Sequence, residues 1–134
     1  MLANYSFEGK LPEKCGDPGI PTIPCHIKET YVKYALCDLA AGISVMHFSL
    51  YKKVNLTKLV PTEVSLQMAD KSAVPIGICK DVPISIANVL IPTDFVILEM
   101  PENDNLSIIL GRPFLNTAGG VINCTKNKVT FNVK

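Results

Sequence analysis

A chain of 134 residues with 48% hydrophobic and 19% charged content has enough apolar mass to bury a core as one domain, which excludes a disordered chain. Its formal net charge of +1 offers no electrostatic footprint for nucleic acid or an anionic membrane, and no window approaches about 18 uninterrupted apolar residues. Five cysteines, an odd number without a Cys-x-x-Cys pair, argue against a disulfide framework or a zinc site, so Cys15, Cys25, Cys37, Cys79 and Cys124 are expected to be reduced and mostly buried.

Residues 1–21 read as a Pro/Gly-rich arm or linker, punctuated by Gly16, Pro18, Gly19 and Pro21. No apolar run near Met1 resembles a signal segment, so the expected place is cytoplasmic rather than secreted. From residue 22 the pattern turns to strands. Thr22–Ile27 and Tyr31–Cys37, joined by the polar Lys28-Glu29-Thr30, predict a hairpin, and Asp38 stands where its second strand ends. A lone carboxylate after an apolar run needs a partner, exposure or a shared proton, since unpaired burial costs several kcal/mol. Taken alone, Asp38 reads as a strand-end turn or cap residue more readily than as a catalyst.

After Ala40, Ala41 and Gly42, the spacing of Val45, Phe48, Leu50 and Tyr51 predicts one short helix over Ser44–Val54, with Ser44 as its N-cap. Val64–Met68 and Val74–Ile78 alternate around the polar Asp70-Lys71-Ser72, which predicts a hairpin. Pro75 and Gly77 discourage pairing inside a sheet and favour an exposed ribbon. Strands follow at Val82–Ile86 and Phe95–Met100, with Asp81, Asn88, Pro92 and Thr93 as breaks and Pro101–Asn105 as an acidic turn. Leu106–Leu110 is a further strand. Arg112–Ala118 is a helix with Pro113 in its first turn and Gly119 at its end. Val121–Cys124 and Val129–Val133 close the chain as a hairpin. The fold class is all-β: a small closed barrel with a projecting hairpin and one or two short helices, over residues 22–134.

Three features together, the apolar strand ending in Asp38, the central hairpin, and Ile109-Leu110-Gly111-Arg112 before a helix, resemble the retropepsin family of aspartic proteases. The stretches Asp17–Cys25 and Pro92–Leu98, with Ile109–Leu115, are most similar to the protease region of Pol polyproteins from plant gypsy-class LTR retrotransposons. The resemblance implies that Asp38 is the catalytic aspartate. Leu39, Ala40, Ala41 and Gly42 then form the active-site loop, Asp70, Lys71 and Ser72 the flap tip, and Ile109, Leu110, Gly111 and Arg112 the structural second motif. It further implies a homodimer that joins two Asp38 side chains, a polypeptide substrate within a retroelement polyprotein, a location in the cytoplasm or a retroelement particle, and neither cofactor nor metal. Where the family usually has Thr or Ser and then Gly after the aspartate, this chain has Leu39 and Ala40. If position 40 required close backbone approach or φ > 0, its β-carbon would cost on the order of 1 kcal/mol and displace the loop. The alternative is therefore a catalytically decayed module that binds peptide or self-associates. His26 and His47 lack a paired acid or nucleophile at recognisable spacing and are expected to be structural or exposed.

Overall fold

The computed structural model describes residues 3–8, 21–62, 74–99, 108–123 and 128–133. In chain order its elements are β1 (Ala3–Glu8), β2 (Thr22–Ile27), β3 (Thr30–Cys37), β4 (Ser44–His47), α1 (Phe48–Lys53), β5 (Leu59–Val60), β6 (Val74–Ile86), β7 (Val89–Glu99), β8 (Ile108–Leu110), α2 (Arg112–Ala118), β9 (Gly120–Asn123) and β10 (Lys128–Val133). One sheet runs β2-β3-β8-β4-β7-β6-β5, and a pairing of β2 with β6, His26 opposite Ser85 and Ile27 opposite Ile84, closes six of its strands into a barrel. The expected all-β barrel with two short helices is what the chain forms.

Alternation explains the strands locally. In β2 and β3, Ile23, Cys25, Ile27, Val32, Ala35 and Cys37 point inward, while His26, Tyr31 and Lys33 face solvent. These residues join Met46, Ile84, Phe95, Ile97, Leu110, Phe114 and Leu115 in one core, where burying each large side chain is worth about 1.5–3 kcal/mol. Cys25, Cys37 and Cys79 are free, buried thiols within it. Cys15 and Cys124 lie outside the described residues.

Four expectations are corrected. The segment Ser44–Val54 is not one helix: Ser44–His47 is a buried strand, paired parallel to β7 and antiparallel to β8, and only Phe48–Lys53 is helical. Ser44 is therefore not the N-cap. His47 takes that place, its Nδ1 accepting from the Ser49 N–H at 3.0 Å, with the Ser49 hydroxyl at 2.8 Å from the same nitrogen. Second, Val74–Ile78, expected to avoid pairing inside a sheet, is the start of the 13-residue β6: it is exposed at Val74 and Pro75 but pairs with β7 along its length and with β5 from Ile78. Register shifts at Pro75/Gly77 and Cys79/Val82 absorb the residues that read as breakers. Third, β7 runs unbroken through Pro92 and Thr93, and Pro92 stands opposite Pro83, so two residues lacking an N–H share one rung of the ladder. Fourth, the arm contains a strand, Ala3–Glu8, antiparallel to β10 in a sheet of order β1-β10-β9. The expected hairpin strand Val64–Met68, its tip Asp70–Ser72 and the turn Pro101–Asn105 lie outside the described residues.

The closing hairpin of β9 and β10 and the helix Arg112–Ala118 match expectation. Gly119 adopts the left-handed conformation, φ 68°, at the C-cap of α2. The Phe114 and Phe131 rings meet edge to face with centroids 6.3 Å apart, which ties α2 to β10. No helix among the described residues is long and apolar enough to cross a membrane.

Candidate active site

The topology builds the site around β8. This three-residue strand lies between β3, its parallel neighbour, and β4, its antiparallel one. Since β3 ends at Cys37 and β4 begins at Ser44, the connecting residues 38–43 must arch over the C-terminal end of β8, where Gly111 follows Leu110. Asp38 therefore sits at the foot of the arch and the second motif lies beneath it.

Backbone hydrogen bonds fix this arch from below. The Asp38 N–H donates to the Leu110 carbonyl at 3.0 Å, extending the β3–β8 ladder by one residue. The Ala41 N–H donates to the Asp38 carbonyl at 3.2 Å and closes a turn with Leu39 and Ala40 at its corner. Inside that turn the Asp38 Oδ1 accepts from the Ala40 N–H at 2.9 Å, which orients the carboxylate. The far side is held by the Arg112 N–H, donating to the Ala41 carbonyl at 2.8 Å, and by the buried Gly111 N–H, donating to the Ser44 hydroxyl at 3.0 Å. A carboxylate half-exposed on a turn with both ends tied to a barrel strand is a rigidly placed acid or base.

Two glycines respond differently to this packing. A β-carbon on Gly111 would stand 2.5 Å from the Ile43 carbonyl oxygen and 2.9 Å from that of Ala41, so the close approach of the two backbones requires glycine. One on Gly42 would meet only the Arg112 Nη2, at 3.2 Å. Arg112 thus lays its guanidinium on the bare backbone of Gly42. Ala40, whose β-carbon could have strained the turn, carries no such burden: positive φ among the described non-glycine residues occurs at Lys28, Asn55, Asp81, Ala87 and Asn88. Ala40 is exposed and its conformation is open to any residue.

The structure brings together Asp38, Leu39, Ala40, Ala41, Gly42, Ile109, Leu110, Gly111 and Arg112. Asp70, Lys71 and Ser72 are outside the described residues. Sequence reasoning missed Ser44 as a brace for Gly111, because a serine before an apolar run reads as a helix cap until the register of β4 on β8 is known. It also missed a small apolar cluster apart from the main core, where Val45, Val96 and Leu98 pack with Ile43, Ile78 and Ile109. Ile43 ends the arch and Ile109 belongs to β8, so this cluster adjoins the aspartate loop.

A depression of about 440 Å³ runs beside the arch, between Pro113, Phe114 and Thr117 of α2 and residues of β6 and β7, with Ile43 and Ser44 in its wall. Asp38 is not part of that lining. His26 is exposed against Tyr31, ring centroids 5.1 Å apart, and His47 caps α1, which agrees with structural or surface roles for both. No group of three or more metal-ligating side chains gathers among the described residues.

Residues 40–134 match the model of a family described as retroviral aspartyl protease, a match that begins two residues after Asp38. No curated protein matches the chain. Solved structures share its fold, two of them as follows. The retroviral protease-like domain of Ddi1 from Leishmania major superposes with a TM-score of 0.65 at 21% identity, over 82% of this chain and 86% of that one. A retropepsin-like aspartic protease from Rickettsia conorii does so with a TM-score of 0.67 at 15% identity, over 98% of this chain and 92% of that one. At these identities the likeness speaks to the fold.

Proposed function

The chain belongs to the retroviral aspartyl protease family, and on that premise we propose that it is an aspartic endopeptidase of a retroelement polyprotein, with Asp38 as its catalytic residue. The observation that carries this reading is the arch itself: one carboxylate, oriented by the Ala40 N–H and held over Gly111 by hydrogen bonds on both sides. A single such carboxylate can take a proton from water or give one to a leaving group, but not both at once. A homodimer resolves this, since a two-fold axis beside the arch joins two copies of Asp38.

Two carboxylates about 3 Å apart share one proton, because both cannot ionise together. The ionised Asp38 takes a proton from a water between the pair, and the water oxygen attacks the scissile carbonyl carbon. The protonated Asp38 donates to the developing oxyanion, which becomes a gem-diol. Collapse of that intermediate breaks the C–N bond as the protonated Asp38 gives its proton to the amine nitrogen and the ionised one takes a proton from a gem-diol hydroxyl, which leaves the product carboxyl group. The dyad ends with the one proton it began with. The apolar cluster around Val45, Val96 and Ile109 offers a wall for a substrate side chain, and the segment around Asp70–Ser72 would cover the bound peptide.

The decayed-module alternative is motivated by Ala40, and the absence of a left-handed backbone there supports the active reading over it. Cleavage of a peptide library by the wild type, against Asp38→Asn, tests the proposal. We expect a bell-shaped pH profile for the wild type and a loss of at least about 10³-fold in the variant. Cleavage that persists in Asp38→Asn would assign the activity elsewhere.

A further inference from the structure

Arg112 is a cation that the fold holds in place and leaves without a partner. Its backbone N–H donates to the Ala41 carbonyl at 2.8 Å, which ties the residue to the aspartate arch. Its guanidinium reaches Gly42, with Nη2 3.2 Å from where a β-carbon on that glycine would stand. Both residues are exposed, so the planar fork is open to solvent. Among the described residues no carboxylate pairs with it, and the first turn of α2 holds no acid. The Asp38 and Asp94 carboxylates accept instead from the Ala40 and Asp81 N–H groups.

Within residues 38–44 and 108–112, which make up the arch and the strand below it, Asp38 and Arg112 are the only charged side chains. An acidic group of a ligand is repelled by Asp38 unless a cation meets it. A guanidinium meets a carboxylate with charge-assisted hydrogen bonds in a fixed fork, and one already positioned by its backbone loses less freedom on binding.

Resting on the protease reading above, we propose that Arg112 is a specificity residue that binds an acidic side chain, Asp or Glu, of the substrate polypeptide. The position of that acid follows from the arch. A turn such as Asp38–Ala41 keeps its end Cα atoms within about 7 Å, and Gly42 lies one step of about 3.8 Å further on. The guanidinium is therefore at most about 16 Å from the Asp38 Cα. An extended peptide advances about 3.4 Å per residue, which puts the acid within about four residues of the cut.

The test starts from one peptide that the wild type cleaves, with Glu or Gln placed in turn at each of the four positions on either side of the cut. The quantity read is the ratio of kcat/KM for the Glu peptide over the Gln peptide within one enzyme, so a general loss of activity in a variant cancels. At one position or more the wild type should favour Glu by about ten- to hundredfold at low salt, and by less at 0.5 M salt. The ratio should fall to about one in Arg112→Gln, stay above it in Arg112→Lys, drop below it in Arg112→Glu, and keep its wild-type value in Lys33→Gln, which removes an exposed cation from β3.

A wild-type ratio near one at every position would overturn the assignment while leaving the protease standing, and this reading needs no variant to fold. A ratio that survives in Arg112→Gln, whether or not sedimentation shows weakened self-association, would overturn it too, since the guanidinium would then serve the fold or a second copy. Equal loss in Lys33→Gln would do the same, because the preference would come from overall charge. No cleavage of any peptide would instead refute the protease reading, and the assignment with it.

Discussion

Replacing Gly111 by alanine adds one methyl group beneath the aspartate arch, and its effect follows from three distances. The new β-carbon would lie 2.5 Å from the Ile43 carbonyl oxygen, 2.7 Å from the Ile43 carbonyl carbon and 2.9 Å from the Ala41 carbonyl oxygen. All three atoms are backbone, so no side chain can rotate away, and the arch or β8 must move by several tenths of an ångström. Overpacking of this kind costs about 1–3 kcal/mol. The same movement pulls the buried Gly111 N–H from the Ser44 hydroxyl, and an unsatisfied buried donor costs a further ~1–3 kcal/mol. The φ of Gly111 is −90°, so the penalty is steric and not torsional. The expected destabilisation is about 2–6 kcal/mol, or roughly 1–3 M in urea midpoint for an m-value near 2 kcal/mol/M. Urea unfolding at one fixed protein concentration reads it, because self-association shifts the apparent midpoint. Gly42→Ala is the control. Its β-carbon meets only the mobile end of Arg112 at 3.2 Å, so its change should stay within about 0.5 kcal/mol. If Gly111→Ala unfolds within ~0.5 kcal/mol of wild type and keeps its cleavage rate, close backbone approach is not what fixes the arch.

Removing the acceptor alone, in Ser44→Ala, should cost about 1–3 kcal/mol and lower kcat more than it raises KM; an unchanged midpoint would mean that the Gly111 N–H finds another partner. Ala40→Gly should bring no gain in cleavage, and about 0.5–1 kcal/mol of lost stability from the freer unfolded chain, since Ala40 needs no left-handed backbone; a clear rise in activity would contradict this. Alkaline pH should unfold the protein through its buried thiols. Burial pushes Cys25 up to about 12, and pushes Cys37 higher still, by burial first and then by the neighbouring Cys25. Their folded pKa values are raised, so their contribution is complete below the unfolded thiol value near 9 and is lost as pH climbs from there toward 12. Two such protons give a slope of about 2.7 kcal/mol per pH unit at most, and Cys25→Ala should halve it; equal slopes in both proteins would disprove the thiol origin.

The elements that could be read in the sequence are those whose signals are local. Pro113 and Gly119 bracket α2, and the Asp38 and Gly111-Arg112 motifs marked two stretches that the structure does bring together. What the sequence concealed depends on partners far away in the chain. Ser44–His47 fits a helical period as well as a strand, and its pairing with both β7 and β8 decides the matter. Histidine is not among the favoured caps, so His47 gave no signal for the start of α1. Pro75, Gly77, Pro83 and Pro92 look like breaks because the bulges and the facing prolines that neutralise them involve the opposite strand. Ala3–Glu8 becomes a strand only when β10 is beside it.

The sandwiching of β8 between β3 and β4 also sets a timetable. Ala35 finds its ladder partner in Ile108, and the Ala41 carbonyl its donor in Arg112, so Asp38 is synthesised long before anything exists to hold it. At translation speeds of about 5–20 residues per second, some 4–15 seconds separate the aspartate from its support. Contacts this distant in sequence also form late in folding, because loop closure comes before any compensating contact. A nascent chain that stops short of β8 carries the aspartate without its arch. The fold thereby delays the assembly of its aspartate turn until the last third of the domain has been made.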